Sequence, residues 1–460
     1  MADFALRRYH EATKHSRESL AAGARPLDLS IKPLAFKVYT ALDPIVAPPD
    51  IAELCLNTNG VLRWRESRTG RKVGFRAAPC TGARYHVELY LATAARPDLA
   101  AGLYHYSAHD GALRLLRTGD VRGALVAATG GFAPVAGAPI VAVLTSTFWR
   151  NAWKYRSRAY RHVYWDGGVI LANLLALAAA RGTRASVVVG FADAAVDQLV
   201  GADGTREASF ALVALGDGAP GAGPAAALPP LDLETEPLSP REERYPLIED
   251  AHRASSLGSG EEVGAWRARI DAVSTSMLAP FTDRPIEEVI RARRSTRQFT
   301  HRPIARTQLD AALAAGGASI PGDAFGARVV DPFLIVNAVE GLDPGTYDGD
   351  LTPIRQGAFR SEAGDLALGQ RLGADAAANV YWLADLDAVL ARFGERGYRV
   401  AQLAGAIAGG RLELAATAMR LGATGLTFFD DEVTGFFGPA AAGRQVTYLA
   451  ALGRRALRSR

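Results

Sequence analysis

Cysteine is nearly absent from this chain of 460 residues, where only Cys55 and Cys80 occur. Two cysteines cannot build a disulfide framework, and they fit a reducing compartment, the cytoplasm. Lysine is scarce as well: Lys14, Lys32, Lys37, Lys72 and Lys154 stand among many arginines. A lysine is therefore an uncommon choice here. No apolar run reaches the roughly 20 residues that cross a bilayer. The longest, Val169–Ala180, is interrupted by Asn173 and reads as a buried helix. The first eight residues, Met1 to Arg8, lack the apolar core of a signal peptide, so no membrane partner is expected. A net charge of +4 is small for this length, and it argues against nucleic acid, which calls for a basic face or stripe. The eight histidines and two cysteines show no metal-ligand spacing, so no metal site is expected. No Gly-x-Gly-x-x-Gly motif follows a strand-like run, so there is no dinucleotide-fold signature.

What is present is a globular composition, nearly half apolar. Residues 1–45 read as an N-terminal extension with a helical candidate at Glu11–Ala21. A first domain covers 46–218. The stretch from Gly216 to Pro230, rich in Gly, Ala and Pro, opens a linker over 219–283 that carries another helical candidate, Glu261–Val273. A second domain covers 284–460.

The two domains look like copies. Arg158, Tyr160 and Arg161 match Arg396, Tyr398 and Arg399, and each set leads into a long apolar helix. Val189-Gly190-Phe191 matches Thr427-Phe428-Phe429. Each copy ends in a strand-like run, Ala211–Gly216 and Tyr448–Gly453. A repeat of this size is too long for a solenoid and reads as a fused pair packed as a pseudo-dimer. Two-fold contacts use the same surface of each half.

The second copy begins with Arg291-Ala292-Arg293-Arg294-Ser295-Thr296-Arg297-Gln298-Phe299. Thr282 or Asp283 can cap the preceding helix, Pro285 suits its first turn, and Glu287 and Glu288 complement its positive end. Arginines at the other end offset the helix dipole, but Ser295 and Arg297 lie beyond it. Forked guanidinium donors with a hydroxyl suit a phosphate dianion.

Arg-Arg-Ser-x-Arg-x-Phe, followed by Pro303-Ile304 and an amphipathic helix at Leu309–Ala314, resembles the opening motif of the FMN-dependent nitroreductase superfamily. The first copy resembles its SagB/ThcOx branch, the azoline-oxidising dehydrogenases. It does so through Ala78 to Tyr85, Glu88-Leu89-Tyr90, Gly102 to Tyr106 and Lys154-Tyr155. The run Gly425 to Glu432 and the N-terminal Tyr9 to Ser16 add to this. The resemblance implies an α+β fold: two fused nitroreductase-like domains, each a central mixed or antiparallel sheet flanked by helices, joined as an intramolecular pseudo-dimer. It implies that Arg293, Arg294, Ser295 and Arg297, with Arg454 and Arg455, take the FMN phosphate. Pro79, Cys80, Thr81 and Gly82 would lie against the ring or ribityl chain, with Cys80 replacing the usual small hydroxyl residue. Phe428 either stacks near the flavin or fills core.

The two copies differ in a complementary way. Leu34–Val38 aligns with Arg293–Arg297, and Asp217-Gly218 with Arg454-Arg455. Pro79–Gly82 has only a poor counterpart around Ser319–Gly326, and Lys154-Tyr155 faces Arg392-Phe393. The expectation is one FMN per chain, bound between the halves. Lys154 and Tyr155 match the Lys-Tyr pair proposed as catalytic in azoline oxidases. Both have ordinary pKa values near 10, and nearby Arg156, Arg158 and Arg161 are expected to favour tyrosinate and neutral lysine. The implied reaction is dehydrogenation of a peptide-derived or other small-molecule natural-product substrate, with oxygen reoxidising the flavin and a modifying complex as the implied partner. NAD(P)H-dependent nitro or quinone reduction is the alternative, and a flavin-free scaffold subunit is a third reading.

Overall fold

The computed structural model describes every residue except 1–3, 24–25, 67–69, 71, 220, 226–227 and 457–460. The chain divides into two compact units that do not follow chain order. One comprises Leu27–Ala279 and Ser319–Ala327; the other comprises Met1–Pro26, Pro280–Ala318 and Arg328–Arg460. The stretch read as an N-terminal extension is thus shared out, and the stretch read as a linker contributes helices Pro246–Ala254 and Gly260–Ile270 to the first-repeat unit.

In the first-repeat unit, β1 (Val61–Glu66) and β2 (Lys72–Arg76) form a separate antiparallel ribbon. The main sheet contains β3 (Val87–Thr93), β4 (Gly102–Tyr106), β5 (Leu113–Thr118), β6 (Ile140–Thr147), β7 (Ala185–Val188) and β8 (Glu207–Leu215). Its order is β5-β4-β3-β6-β8-β7, and every pairing is antiparallel. In the second-repeat unit, β9 (Asp331–Val336), β10 (Gly345–Tyr347), β11 (Pro353–Gln356), β12 (Ala378–Ala384), β13 (Gly422–Gly425) and β14 (Gln445–Gly453) take the corresponding order β11-β10-β9-β12-β14-β13. These pairings are antiparallel as well. The central strands are buried along their whole length and mostly apolar, as cover on both faces requires.

Each sheet carries one 22-residue helix, Ala159–Ala180 or Gly397–Ala418. Both are rich in Ala and Leu, which lose little entropy on becoming helical. The run Val169–Ala180 is buried as far as Ala178 in the first of them, as its composition predicts. By length and composition Phe148–Ala180 could cross a membrane, yet 89% of its apolar window is buried inside the protein. Glycine sets how closely each helix approaches its sheet. A Cβ at Gly167 would meet the Phe210 ring at 2.4 Å, and one at the matching Gly405 would meet Thr447 Oγ1 at 2.2 Å. The helix beginning the second copy spans Ile286–Ala292, with Pro285 just before it and no side-chain cap. Thr282 accepts instead from the Arg284 amide at 3.1 Å.

Buried charges hold the first-repeat sheet. Glu88, 1% exposed, takes the Arg150 guanidinium and lies 3.1 Å from His105 Nε2. Burial opposes this charge, but Arg150, His105 and Arg76 outweigh it and hold the carboxyl well below the usual range. Its contribution is complete above the unfolded-state value near 4.3 and is lost as pH falls towards the folded one. Glu88→Ala leaves Arg150 buried without its carboxylate, which costs about 3–5 kcal/mol. Thermal melting should show that loss at pH 7, with a smaller difference from the unmodified protein at acid pH.

Candidate active site

Lys154 and Tyr155 end the helix Phe148–Tyr155. The next residue, Arg156, has φ 50° and ψ −140°, where its second-repeat counterpart is Gly394 with φ 67° and ψ −164°. An L-residue held there costs on the order of 1–3 kcal/mol. The turn aims Tyr155 at the loop that precedes β3. A Cβ on Gly82 would stand 2.5 Å from the Tyr155 hydroxyl. Lys154 Nζ lies 5.1 Å from the Tyr155 ring centroid, and His162 meets the same ring edge-on at 4.6 Å. Arg156→Gly should raise thermal stability by about 1 kcal/mol through relief of this strain; an unchanged or lower melting temperature would contradict the assignment.

The loop from Pro79 to Tyr85 is itself strained, with positive φ at Gly82, Ala83 and Tyr85. One carboxylate gathers it. Asp166, 6% exposed on the helix Ala159–Ala180, accepts from the Thr81 amide at 2.9 Å and the Thr81 hydroxyl at 2.8 Å. Its other oxygen takes the Cys80 thiol at 3.0 Å and His86 Nε2 at 2.8 Å. His86 Nδ1 pairs with Ser146 Oγ at 2.8 Å, and Cys80 Sγ accepts from the Tyr85 amide at 2.9 Å. Cys80 therefore keeps a hydrogen-bonding role in the place of the usual hydroxyl residue. Cys80, His86 and Asp166 bring ligand-type atoms within 4.8 Å of one another. Both carboxylate oxygens already accept hydrogen bonds, so the set reads as a hydrogen-bonded hub. Spacing could not reveal it, since Asp166 is 80 or more residues along the chain from its partners. A carboxylate inside an apolar helix was the available signal.

The electrostatics correct one expectation. Burial, then Asp166 and Cys80, push Tyr155 up from its ordinary value, and Arg84 only partly opposes them. Tyrosinate is disfavoured. Burial and then Arg84 lower Lys154, so the neutral amine is the more accessible base. The responsible cation is Arg84; Arg158 and Arg161 are themselves buried. Burial and Asp166 also raise the Cys80 thiol well above its ordinary value.

In the second-repeat unit, the arginine cluster runs beside the end of β14. Ser295 bridges Ala423, and Phe299 bridges Arg455. The Thr296 amide donates to Ala423 O at 3.1 Å and the Thr300 amide to Arg454 O at 2.8 Å. This ladder brings Arg294, Ser295 and Arg297 to the same edge as Arg454 and Arg455, from positions over 150 residues apart. Arg294 donates to Arg293 O at 2.7 Å, and Arg454 Nε to Pro303 O at 2.7 Å. Arg297, Arg454 and Arg455 are exposed. A Cβ at Gly422 would stand 2.5 Å from both Arg455 Cγ and Thr296 Oγ1, so glycine lets the two segments close against β13 there. Several guanidiniums and a hydroxyl around such an edge fit a phosphate dianion. Arg293 departs from that set. It is buried, with Nη1 3.7 Å from buried Glu413 Oε2, and serves the interior. Phe428 is fully buried, which makes it core.

The first repeat has closed the corresponding features. Lys37, in the stretch aligned with the cluster, donates to Glu207 Oε2 at 2.9 Å and Tyr90 Oη at 3.0 Å. Consecutive amides of Val189 and Gly190 both donate to Asp323, each at 2.9 Å, and Arg267 approaches the same carboxylate at 3.3 Å. Adjacent amides of this kind suit an anion; here the chain's own carboxylate occupies them.

The nitroreductase family pattern matches residues 43–217 and again 290–453. The chain therefore belongs to the nitroreductase family, carrying its domain twice. Members of that family are flavin-dependent oxidoreductases. Among solved structures, a candidate nitroreductase from Anabaena variabilis ATCC 29413 is 27% identical, covers 99% of this chain and 100% of its own, and superposes with a TM-score of 0.81. The E. coli microcin synthetase McbBCD complex, bound to truncated pro-MccB17, matches at 21% identity over 45% of this chain and 74% of its own, with a TM-score of 0.32. A candidate nitroreductase from Ralstonia eutropha JMP134 matches at 20% identity over 43% and 88%, with a TM-score of 0.30. Among curated proteins nothing matches.

Proposed function

We propose that the protein is an FMN-dependent dehydrogenase of the SagB/ThcOx type that oxidises a ring or Cα–N bond in a peptide-derived substrate, such as an azoline to an azole. The observation that carries this reading is the Lys154-Tyr155 pair, held by a strained turn against the Gly82 loop. Arg294, Ser295, Arg297, Arg454 and Arg455 would hold the phosphate, and Pro79 to Gly82 would lie against the flavin. FMN, when bound, would supply a two-electron acceptor for the substrate's hydride, with oxygen as the final oxidant. The neutral Lys154 amine takes the proton lost from the substrate carbon, and the Tyr155 phenol orients the substrate by donating a hydrogen bond. Substrate thus loses one hydride and one proton, and oxygen leaves as hydrogen peroxide. Cys55 and Cys80 are both free thiols, in keeping with a cytoplasmic enzyme.

One flavin is expected per chain, because Lys37 and the Val189-Gly190 amides are already satisfied internally. Titration of flavin-depleted protein with FMN should saturate at one equivalent, and two equivalents would overturn this count. Anaerobic mixing tests the reaction. Bleaching by an azoline-containing peptide and not by NAD(P)H supports the dehydrogenase. Rapid bleaching by NAD(P)H alone would make the protein a nitro or quinone reductase, and protein that binds no flavin would be a scaffold subunit.

A further inference from the structure

We propose that Asp166 and Arg84 are positioning residues that set the roles of Lys154 and Tyr155, Asp166 keeping Tyr155 a protonated hydrogen-bond donor and Arg84 keeping Lys154 the base. The inference rests on the pair's role in the dehydrogenase reading and adds Asp166, which lies outside every motif named above, and a role for Arg84 within the Ala78–Tyr85 run.

The geometry begins with Asp166. Its carboxylate accepts hydrogen bonds from Cys80, Thr81 and His86. The same loop carries Gly82, against which the Tyr155 hydroxyl rests. A buried anion behind that loop therefore opposes a second negative charge on Tyr155. Arg84 belongs to the same loop. Its Nε donates to Gly82 O at 3.0 Å and its guanidinium lies 5.2 Å from the Trp153 ring centroid, one residue before Lys154. A fixed cation there opposes a second positive charge on Lys154. The charged and titratable groups bearing on the pair are Cys80 and Arg84 from the loop, and His162 and Asp166 from the long helix. Burial of Tyr155 acts in the same direction as Asp166. The loop thus ties both an anion, Asp166 of the long helix, and a cation, its own Arg84, to the neighbourhood of two adjacent side chains. A merely structural Asp166 would hold the loop without setting either proton.

The test reads ionisation directly on the flavin-bound protein, without turnover. Tyrosinate absorbance near 295 nm (an approximate general value for phenolates, used with) is followed against pH, with Tyr155→Phe in each background subtracted to isolate this residue. Amine modification of Lys154, followed against pH by peptide mass spectrometry, reports the lysine. In Asp166→Asn, Tyr155 should ionise at lower pH. In Arg84→Met, which alters a partly exposed side chain, Lys154 should become reactive only at higher pH and Tyr155 should ionise at higher pH still. An unchanged Tyr155 midpoint in folded Asp166→Asn would overturn the assignment to Asp166. Unchanged midpoints in Arg84→Met would overturn the assignment to Arg84, and this arm stands if Asp166→Asn does not fold. Shifts in the expected directions with full substrate oxidation in Lys154→Ala would uphold the charge assignment and overturn the dehydrogenase reading, so the two failures are distinguishable.

Discussion

Replacing Arg294 and Arg297 together by alanine should release the flavin from an otherwise folded protein. The two guanidiniums sit at the edge that the Ser295–Thr300 ladder builds against Ala423, Arg454 and Arg455. A hydrogen bond to a charged group contributes about 1.5–3 kcal/mol. Loss of two such contacts weakens binding by roughly 10²–10⁴-fold. FMN fluorescence on titration measures the affinity, and circular dichroism checks folding. Affinity within tenfold of the unmodified protein would remove both residues from the phosphate site. Arg293→Ala is the instructive contrast. It leaves Glu413 buried beside no cation, so it should lower stability before it alters flavin affinity.

Lys154→Ala should keep the flavin and lose substrate oxidation. A positioned proton acceptor accounts for about 10²–10⁴ of a rate, and that is the expected loss. Tyr155→Phe should fall by less, since the phenol donates a hydrogen bond and takes no proton. The pH profile carries the sign. Lys154 works as the neutral amine, so activity rises with pH through its folded value. That value lies below the ordinary one because of burial and Arg84. Tyr155 works as the protonated phenol, and its raised value keeps it protonated beyond the ordinary tyrosine range. Turnover should therefore climb from neutral towards alkaline pH with no fall where a normal tyrosine ionises. Steady-state rates with a fixed azoline peptide measure this. Turnover of Lys154→Ala within threefold of the unmodified enzyme would strike Lys154 from the catalytic role.

Much of the architecture was legible because helix and strand patterns are local. The matched runs at Arg158–Arg161 and Arg396–Arg399 pointed to a duplication, and the two sheets share one strand order. The long apolar run after Tyr155 pointed to a buried helix, and the helix Ala159–Ala180 contains it. Element ends were less legible. The candidate Glu11–Ala21 divides into Ala5–Ala12 and Arg17–Gly23, and a serine and two basic residues between them engage local and distant carboxylates and hydroxyls.

The sequence by itself determined the family, the duplication and the residue types that bear the chemistry. A guanidinium is a phosphate donor, and a scarce lysine beside a tyrosine is a candidate base, wherever the chain puts them. Tertiary structure decided which of those groups are available. Four arginines in one short stretch look equivalent, yet Arg293 turns inward to Glu413 while Arg297 faces solvent. Lys154 and Tyr155 are neighbours, yet Arg84 and Asp166 act on them with opposite charge. Charge interaction depends on distance in space and on burial. Neither is encoded in the spacing of residues along the chain, and so the roles within the pair belong to the fold.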